Sequence, residues 1–218
     1  WLIKLLEIEN FELSSISSCI IASVVPEALL SLRIFNEKYL NINPIVVGDH
    51  NLELGIDINI DTPSEAGADR LVNAVAVKKF YQKSAIVVDF GTATTFDVVS
   101  KIGSYEGGVI APGVNLSLEA LYMAASRLPR ININNSYNKK VIGKNTKDSM
   151  GSGIYWGYIS LIEGIIEKIK RETQTNYLVI ATGGLSNIFS KDCKAIDVVD
   201  EDLTINGLIH IYNINNKK

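Results

Sequence analysis

The sequence predicts an α/β fold, and two of its features support that prediction. Apolar, β-branched runs alternate with segments of helical periodicity along most of the 218 residues. Hydrophobic residues make up 47% and charged residues 21% of the chain, which excludes disordered, collagen-like and coiled-coil proteins. A chain of this length can form one domain or two small half-domains with a substantial core.

Charge and cysteine content exclude several functional classes. The chain has 21 Lys and Arg against 24 Asp and Glu, with the two signs interleaved, so it shows no nucleic-acid footprint. Cys19 and Cys193 form neither a disulfide framework nor a metal-ligand spacing, which favours a reducing compartment. The apolar runs are far shorter than the roughly 20 residues of a membrane span. We therefore expect a cytoplasmic protein that binds neither nucleic acid nor membrane.

The first part of the chain predicts two buried strands and a helix. Residues 19–25 form an apolar run that ends at Pro26, and residues 45–47 form a second, shorter run. Residues 27–38 between them have the composition of a helix. This strand, helix and strand order is the start of the predicted α/β pattern.

A second helix is expected to begin at Thr62. That residue combines with Pro63 and Glu65 to give an N-cap, a proline at the first helical position and the acid of a capping box. The helical pattern then continues to about Tyr81.

The middle of the chain predicts a β-hairpin. Residues 85–89 form a buried strand, the Gly- and Thr-rich residues 91–95 form a tight turn, and residues 96–99 form the returning strand. Residues 107–113 form a strand or a loop with glycines at both ends, followed by a helix at 116–125.

The last third predicts an exposed loop, a long helix and a further strand. Residues 131–140 are rich in Asn and Lys and are expected to form the loop. From residue 148 onward, apolar residues recur at spacings of 4, 3, 4 and 4, which is typical of an amphipathic helix, namely Ile154, Tyr158, Leu161, Ile165 and Ile169. Residues 177–181 predict a strand, and a helix begins at 185–189.

Asp69 and Arg70 are the first candidate functional pair. They follow Gly67 and Ala68, about two turns into the expected helix, so no large side chain precedes them on that surface. An acid beside a base can supply a general base and an anchor for an anion, and Asn73 leaves the same helix face one turn later. An ordinary charge pair on a solvated helix face has the same pattern, so both interpretations stay open.

The run DFGTATTFD at 89–97 is a stronger signal. Asp89 ends an apolar strand, at the sheet edge where α/β folds place ligands. Gly91 permits a tight turn, whose N–H groups and Thr hydroxyls can bind phosphate oxygens. Asp89 itself suits a hard cation that accompanies a phosphate. A hairpin turn capped by an aspartate explains the same residues without a ligand.

Two further features are less specific. The TGG motif at 182–184 has the order of an anion or nucleotide site, which is also a common strand-to-helix connection. Trp156 and Tyr158 lie near three glycines of the long helix, which indicates aromatics of the core or of an interface that another element approaches closely. His50 and His210 have no partner at metal-ligand spacing.

Taken together, these motifs resemble those of the type III pantothenate kinases. In the order typical of that family, the chain contains GADR at 67–70, DFGTATTFD at 89–97, GGVIAPG at 107–113, GKNT at 143–146 and TGG at 182–184. The resemblance implies an actin-like (ribonuclease H-like) fold of two similar α/β halves. Residues 1–66 would be the remainder of the first half and residues 67–218 the second half, with a connecting helix at 63–81.

The resemblance also implies an activity and a set of site residues. The implied reaction is ATP-dependent phosphorylation of pantothenate, the first step of coenzyme A biosynthesis, by a homodimer that uses Mg²⁺ and a monovalent cation, K⁺ or NH₄⁺. By motif, Asp69 is the general base on the pantothenate hydroxyl, Asp89 binds the monovalent cation and Thr92 contacts ATP phosphate. The residues implied to contact pantothenate are Gly67, Ala68, Asp69, Arg70 and Thr146.

The sequence departs from the family pattern at two places. Ile60 stands where many members carry a substrate-contacting tyrosine, and no Asp-x-Gly-Asn-Thr run, the first phosphate loop of the family, occurs in residues 1–218. We therefore expect a first half that is truncated at its N-terminus, and little kinase activity from residues 1–218 alone. The alternative is a catalytically impaired regulator, or a fragment of an ordinary kinase, that binds a ligand or a partner without turnover.

Overall fold

A computed structural model describes residues 2–49, 51–124, 128–133 and 140–216. It confirms the α/β prediction, with a five-stranded sheet covered by helices and a second sheet of two strands. Three sequence predictions fall wholly or partly outside the described residues: His50, the end of the helix expected at 116–125, and residues 134–139 of the expected loop.

The first 66 residues contain the small sheet. Helix α1 (Leu2–Ile8) precedes strand β1 (Ile20–Ile21), and helix α2 (Pro26–Phe35) connects β1 to the parallel strand β2 (Ile45–Val46). The strand expected at 19–25 is therefore much shorter than predicted. The Ser23 hydroxyl lies 3.2 Å from both the backbone N and the carbonyl O of Val25, and this local turn takes the chain away from the ladder.

Helix α3 (Ala68–Ala76) begins later than the sequence predicts. Pro63–Glu65 form a separate 3₁₀ turn, and the extended backbone of Ala66 interrupts the helical hydrogen bonds after it. Thr62 makes no side-chain cap hydrogen bond, so the predicted N-cap is wrong and Gly67 occupies that position instead. A π-helical turn, Val77–Tyr81, continues α3 to the predicted end.

The five-stranded sheet positions the candidate site. Its strands are β3 (Ala85–Phe90), β4 (Ala93–Val99), β5 (Tyr105–Pro112), β6 (Leu178–Thr182) and β7 (Val198–Val199), in the order β5-β4-β3-β6-β7. Strands β3, β4 and β5 are antiparallel neighbours, which confirms the predicted hairpin, whereas β6 and β7 run parallel to β3. The sheet is therefore mixed, with the antiparallel strands β5, β4 and β3 beside the parallel strands β6 and β7.

The two faces of the sheet differ because strand side chains alternate. One face is apolar and packs against helices α4 (Val114–Ala124) and α5 (Thr146–Thr173), burying Ile86, Val88, Phe90, Phe96 and Val98. On the other face the register pairs Val87 with Asp97 and Asp89 with Thr95. That face packs against α3, so two carboxylates of the hairpin lie under this helix.

The last two helices are α6 (Ser186–Phe189) and α7 (Leu203–Asn215), of which α7 returns to the start of the chain. It packs along α3, and its Tyr212 hydroxyl donates to Ser18 Oγ at 2.7 Å. Asn215 Nδ2 donates to the Glu53 carbonyl at 2.8 Å. Neither α7 nor β7 was predicted from the sequence. The division into halves at residue 66 stays a prediction, and α7 contacts residues on both sides of it.

Candidate active site

The carboxyl ends of β3 and β6 bring two glycine-containing turns together. The two strands are parallel and pair Asp89 with Thr182, so the turns that follow them lie at the same sheet edge. Gly183 has a φ of +86°, which glycine adopts without strain, and a Cβ there would lie 2.7 Å from Asp89 Oδ1. The structure therefore places the TGG motif directly beside Asp89.

Asp89 is positioned from α3 by Asn73. The Asn73 side chain is fully buried, and its Nδ2 donates to Asp89 Oδ2 at 3.1 Å. Burial raises the pKa of Asp89 above its ordinary value, the hydrogen bond from Asn73 lowers it, and the charge of Asp69 raises it. The helix face that Asn73 shares with Asp69 is thus directed at the carboxyl edge of the sheet.

Asp69 lies in the first turn of α3, and not two turns inside a longer helix as the sequence analysis expected. Its Oδ1 accepts a hydrogen bond from the backbone N–H of Arg70 at 2.9 Å. A carboxylate at this position is stabilised by the positive end of the helix dipole. Asp69 is partly exposed, so a bound substrate can reach it.

Arg70 points into the sheet and pairs with Asp97. Its Nε donates to Asp97 Oδ1, and the two side chains are 13% and 0% exposed. The Thr95 hydroxyl also donates to Asp97, at 3.4 Å. Burial raises the pKa of Asp97 to about 6, although the charge and hydrogen bond of Arg70 lower it. The interpretation of Asp69 and Arg70 as a solvated surface pair therefore does not hold for Arg70.

The guanidinium of Arg70 occupies a narrow space against β5. It lies 5.6 Å over the ring of Tyr105, and its Nη2 is buried without a hydrogen-bond partner among the described residues. A Cβ at Gly108 would lie 2.7 Å from Nη2 and 1.9 Å from the Phe96 carbonyl, so only glycine fits there. Burial and the charge of Asp97 raise the pKa of Tyr105 to about 12, so its phenol stays neutral.

Thr92 lies at the tip of the β3–β4 hairpin. Its side chain is exposed, at the same end of the sheet as Asp89. A Cβ at Gly113 would lie 2.0 Å from the Thr92 carbonyl, so the glycine end of the 107–113 motif packs against this tip. The predicted hairpin is confirmed, but its turn is shorter than the predicted 91–95, because β4 begins at Ala93 and Thr94 and Thr95 pair with β3.

Thr146 lies in a different environment, at the exposed first position of α5. Asn145 caps this helix by accepting a hydrogen bond from the Asp148 N–H at 2.9 Å. A Cβ at Gly143 would lie 2.3 Å from the backbone N of Ser149, so the turn at 143–146 packs tightly on its own helix. Within the described ranges, no hydrogen bond or ion pair links Thr146 to the α3 residues.

The remaining sequence predictions have mixed outcomes. Tyr158 is buried, and its hydroxyl donates to the Pro112 carbonyl at 2.8 Å, which confirms a core role. Trp156 is partly buried and packs edge-on against Tyr155. No other element of the described chain approaches Gly153 or Gly157 closely, because a Cβ at either would meet no atom of another element within 4 Å.

The described residues contain neither a cluster of metal ligands nor a membrane-spanning helix. No group of three or more His, Cys, Asp and Glu side chains there could hold a metal ion. None of the helices in that part of the chain is long and apolar enough to cross a membrane.

Sequence reasoning missed two residues of the site. Asp97 was part of a recognised motif but received no role, although strand alternation places it on the same face as Asp89. Thr204, whose hydroxyl donates to Asn73 Oδ1 at 2.7 Å, lies on the unpredicted helix α7. No motif or spacing in the sequence marks Thr204.

Comparison with known proteins finds relatives over the whole chain. The family model described as type III pantothenate kinase matches residues 1–168. The type III pantothenate kinase of Paramagnetospirillum magneticum is 51% identical over 215 residues, which cover 99% of this chain and 82% of the relative. That of Phenylobacterium zucineum is 50% identical over 218 residues, which cover 100% and 84%. That of Caulobacter vibrioides is 48% identical over 215 residues, which cover 99% and 82%.

A solved structure shares the fold. It comes from Campylobacter jejuni and is described as belonging to the Baf family of transcriptional activators. It aligns with a TM-score of 0.65 over 97% of this chain and 89% of its own, at 20% sequence identity. A likeness at that identity shows the fold alone, so it adds no support to a regulatory role.

Proposed function

Because the chain belongs to the type III pantothenate kinase family, we propose that the complete protein transfers the γ-phosphoryl group of ATP to the primary hydroxyl of pantothenate. The product is 4′-phosphopantothenate, in the first step of coenzyme A biosynthesis. One observation carries this proposal: the hydrogen bond from Asn73 to Asp89 joins the GADR helix to the glycine turns at a single sheet edge.

Asp69 is the general base of the proposed reaction. Its carboxylate takes the proton of the pantothenate hydroxyl while the hydroxyl oxygen bonds to the γ-phosphorus of ATP, and the bond to the bridging oxygen breaks to release ADP. The role requires only hydrogen-bond reach to the substrate hydroxyl. The partial exposure of Asp69 and its place at the helix N-terminus support that role.

Arg70 and its neighbours bind pantothenate in this proposal. The backbone of Gly67 and Ala68 borders the substrate, and Arg70 supplies a fixed positive charge for its carboxylate. The Arg70 side chain is already oriented, since Asp97 binds its Nε and Tyr105 lies under the guanidinium. Thr146 contacts pantothenate from the start of α5.

Asp89 and Thr92 serve the phosphate side. Oδ2 of Asp89 accepts from Asn73, while Oδ1 faces the two glycine turns, 2.7 Å from a Cβ built at Gly183 and 3.8 Å from one built at Gly91. Carboxylate oxygens are donors that hard cations take, so Asp89 fits a monovalent cation, K⁺ or NH₄⁺. Such a cation, together with Mg²⁺, neutralises charge on the phosphates. The Thr92 hydroxyl contacts an ATP phosphate from the hairpin tip.

A cytoplasmic homodimer is part of the proposal. Exposed apolar side chains near the edge strand β5 support self-association: Ile110 on the strand, with Leu116 and Met123 on α4, are 65%, 53% and 69% exposed.

The experiment is an ADP-release assay on the complete protein with ATP, Mg²⁺ and KCl, in which pantothenate is varied. We expect turnover that depends on pantothenate, with 4′-phosphopantothenate identified by mass spectrometry. Absence of pantothenate-dependent turnover would overturn the proposal. Calorimetric binding of pantothenate or ATP without turnover would then support the alternative of a ligand-binding regulator.

A further inference from the structure

A chain of hydrogen bonds connects helix α7 to the carboxylate at the end of β3. The Thr204 hydroxyl donates to Asn73 Oδ1 at 2.7 Å, and Asn73 Nδ2 donates to Asp89 Oδ2 at 3.1 Å. The two bonds use both ends of one amide that is fully buried. Three elements distant in sequence, α7, α3 and β3, therefore meet at one side chain.

The contact between α7 and α3 is close enough to fix the Thr204 hydroxyl. A Cβ at Gly207 would lie 2.4 Å from the carbonyl of Val72, so the helices touch backbone to backbone there. Thr204 lies one turn before Gly207 on the same face of α7, and Asn73 follows Val72 on α3. A helix displaced by a larger side chain would carry the hydroxyl out of hydrogen-bond range.

The carboxylate of Asp89 sets which way the Asn73 amide faces, and the Thr204 hydroxyl binds the other end of that amide. An amide has one accepting and one donating end, and a carboxylate only accepts. With Oδ1 bound to the Thr204 hydroxyl, Nδ2 is the end that faces Asp89. Without the hydroxyl, Oδ1 is buried without a donor, and the amide loses one of the two hydrogen bonds that hold it against Asp89.

We propose that Thr204 and Asn73 are positioning residues that hold Oδ2 of Asp89 and thereby direct Oδ1 to the space between the turns at 91 and 183. This inference rests on the proposed function, because the ligand of Oδ1 is the monovalent cation that accompanies ATP. Thr204 touches neither substrate nor cation. Its loss therefore weakens cation binding and leaves pantothenate binding unchanged.

The test compares Thr204→Val, which removes the hydroxyl at constant shape, with Thr204→Ser, which keeps it. Thr173→Val is the matched control, since the Thr173 hydroxyl donates only within α5, to the Ile169 carbonyl at 2.9 Å. Thr204→Ala is a second variant without the hydroxyl, in case valine impairs folding. Two KCl concentrations are measured on the complete protein. One gives half-maximal turnover, and the other gives half of the KCl-dependent rise in Tm with ATP present. Choline chloride at the same concentrations is the control for ionic strength.

For Thr204→Val and Thr204→Ala we expect both half-saturating KCl concentrations to rise about 3- to 10-fold, the effect of one lost neutral hydrogen bond. Turnover at saturating KCl and the KM for pantothenate stay near wild type, and Thr204→Ser and Thr173→Val behave as wild type. The inference would be overturned if the variants without the hydroxyl had the same KCl dependence as wild type. It would also be overturned if neither the Tm nor the turnover of wild type depended on KCl. A wild type without turnover contradicts the proposed function, and the Tm measurement still tests the positioning role.

Discussion

Two regions carry residues of the proposed active site, and they differ in burial. The first is the buried α3–hairpin cluster, which consists of Arg70, Asn73, Asp89 and Asp97, and the second is the exposed turn at 143–146. In the cluster, Arg70 is 13% exposed, Asp97 is fully buried, and Asn73 and Asp89 are joined by a hydrogen bond. In the turn, Thr146 is exposed and its cap contact is made by a neighbour in sequence. Packing within the chain orients the first set, whereas the second set is oriented by a local helix cap.

This difference predicts how each region responds to substitution. Charged groups removed from water are held in one geometry, because an alternative geometry would leave them without a partner. A substitution at a buried residue of the cluster therefore changes both the site and the stability of the fold. Apart from the capping residue Asn145, the exposed residues of the turn contribute little to the fold, so a substitution at Thr146 changes binding alone.

The largest effect is expected at Asp69. Asp69→Asn keeps the shape of the side chain but removes the proton acceptor, so we expect kcat to fall about 10²- to 10⁴-fold. Melting and circular dichroism should stay near wild type, because Asp69 is partly exposed. Asp49→Asn is the control, since Asp49 forms an exposed ion pair with Arg33 and is expected to leave kcat unchanged. Near-normal turnover of Asp69→Asn would contradict the assignment.

The second effect concerns Asp97, which orients Arg70 without touching substrate. Asp97→Asn removes the negative charge that Arg70 Nε binds and leaves at most a neutral hydrogen bond, and we expect the KM for pantothenate to rise about 10- to 100-fold. The kcat at saturating pantothenate should change much less. A variant with the wild-type KM would show that Arg70 is positioned without its carboxylate partner.

The same variant tests the raised pKa of Asp97 through the pH dependence of stability. Burial raises the pKa of Asp97 from its ordinary 3.8 to about 6, so the folded state binds more protons than the unfolded state between those values. The contribution of Asp97 to stability therefore falls as pH rises from about 4 to 6. We expect the free energy of unfolding of wild type, minus that of Asp97→Asn, to decrease over this window in urea titrations. A constant difference from pH 4 to 6 would contradict the raised pKa.

The smallest effect is expected at the exposed turn. Thr146→Val removes one neutral hydroxyl, so we expect the KM for pantothenate to rise about 2- to 10-fold with no change in Tm. Asn145→Ala is the informative partner, because it removes the helix cap and should cost about 1 kcal/mol of stability. If Thr146→Val lowers stability as much as Asn145→Ala does, the contrast between the two regions does not hold.

Much of the sheet could be predicted from the sequence because its signals are local. The apolar run at 85–89, the glycine turn and the returning strand predict a hairpin through propensity and turn chemistry alone, and β3 and β4 confirm it. The period-2 alternation of strands also places Asp89 and Asp97 on one face. The false N-cap at Thr62 was a local signal too, but the extended backbone of Ala66 overrode it.

The GADR and DFGTATTFD motifs contain the acids, the arginine and the turn of the proposed site, and they were enough to predict the family from the sequence. The hydrogen-bond partners of these residues, in contrast, could not be predicted from the sequence. Arg70 pairs with Asp97 rather than with Asp69, and Asp89 is held by Asn73, which is held in turn by Thr204. The reason is that such pairs depend on strand register and on the packing of α7 against α3, which join residues 131 positions apart. Local propensity contains no information about contacts at that separation.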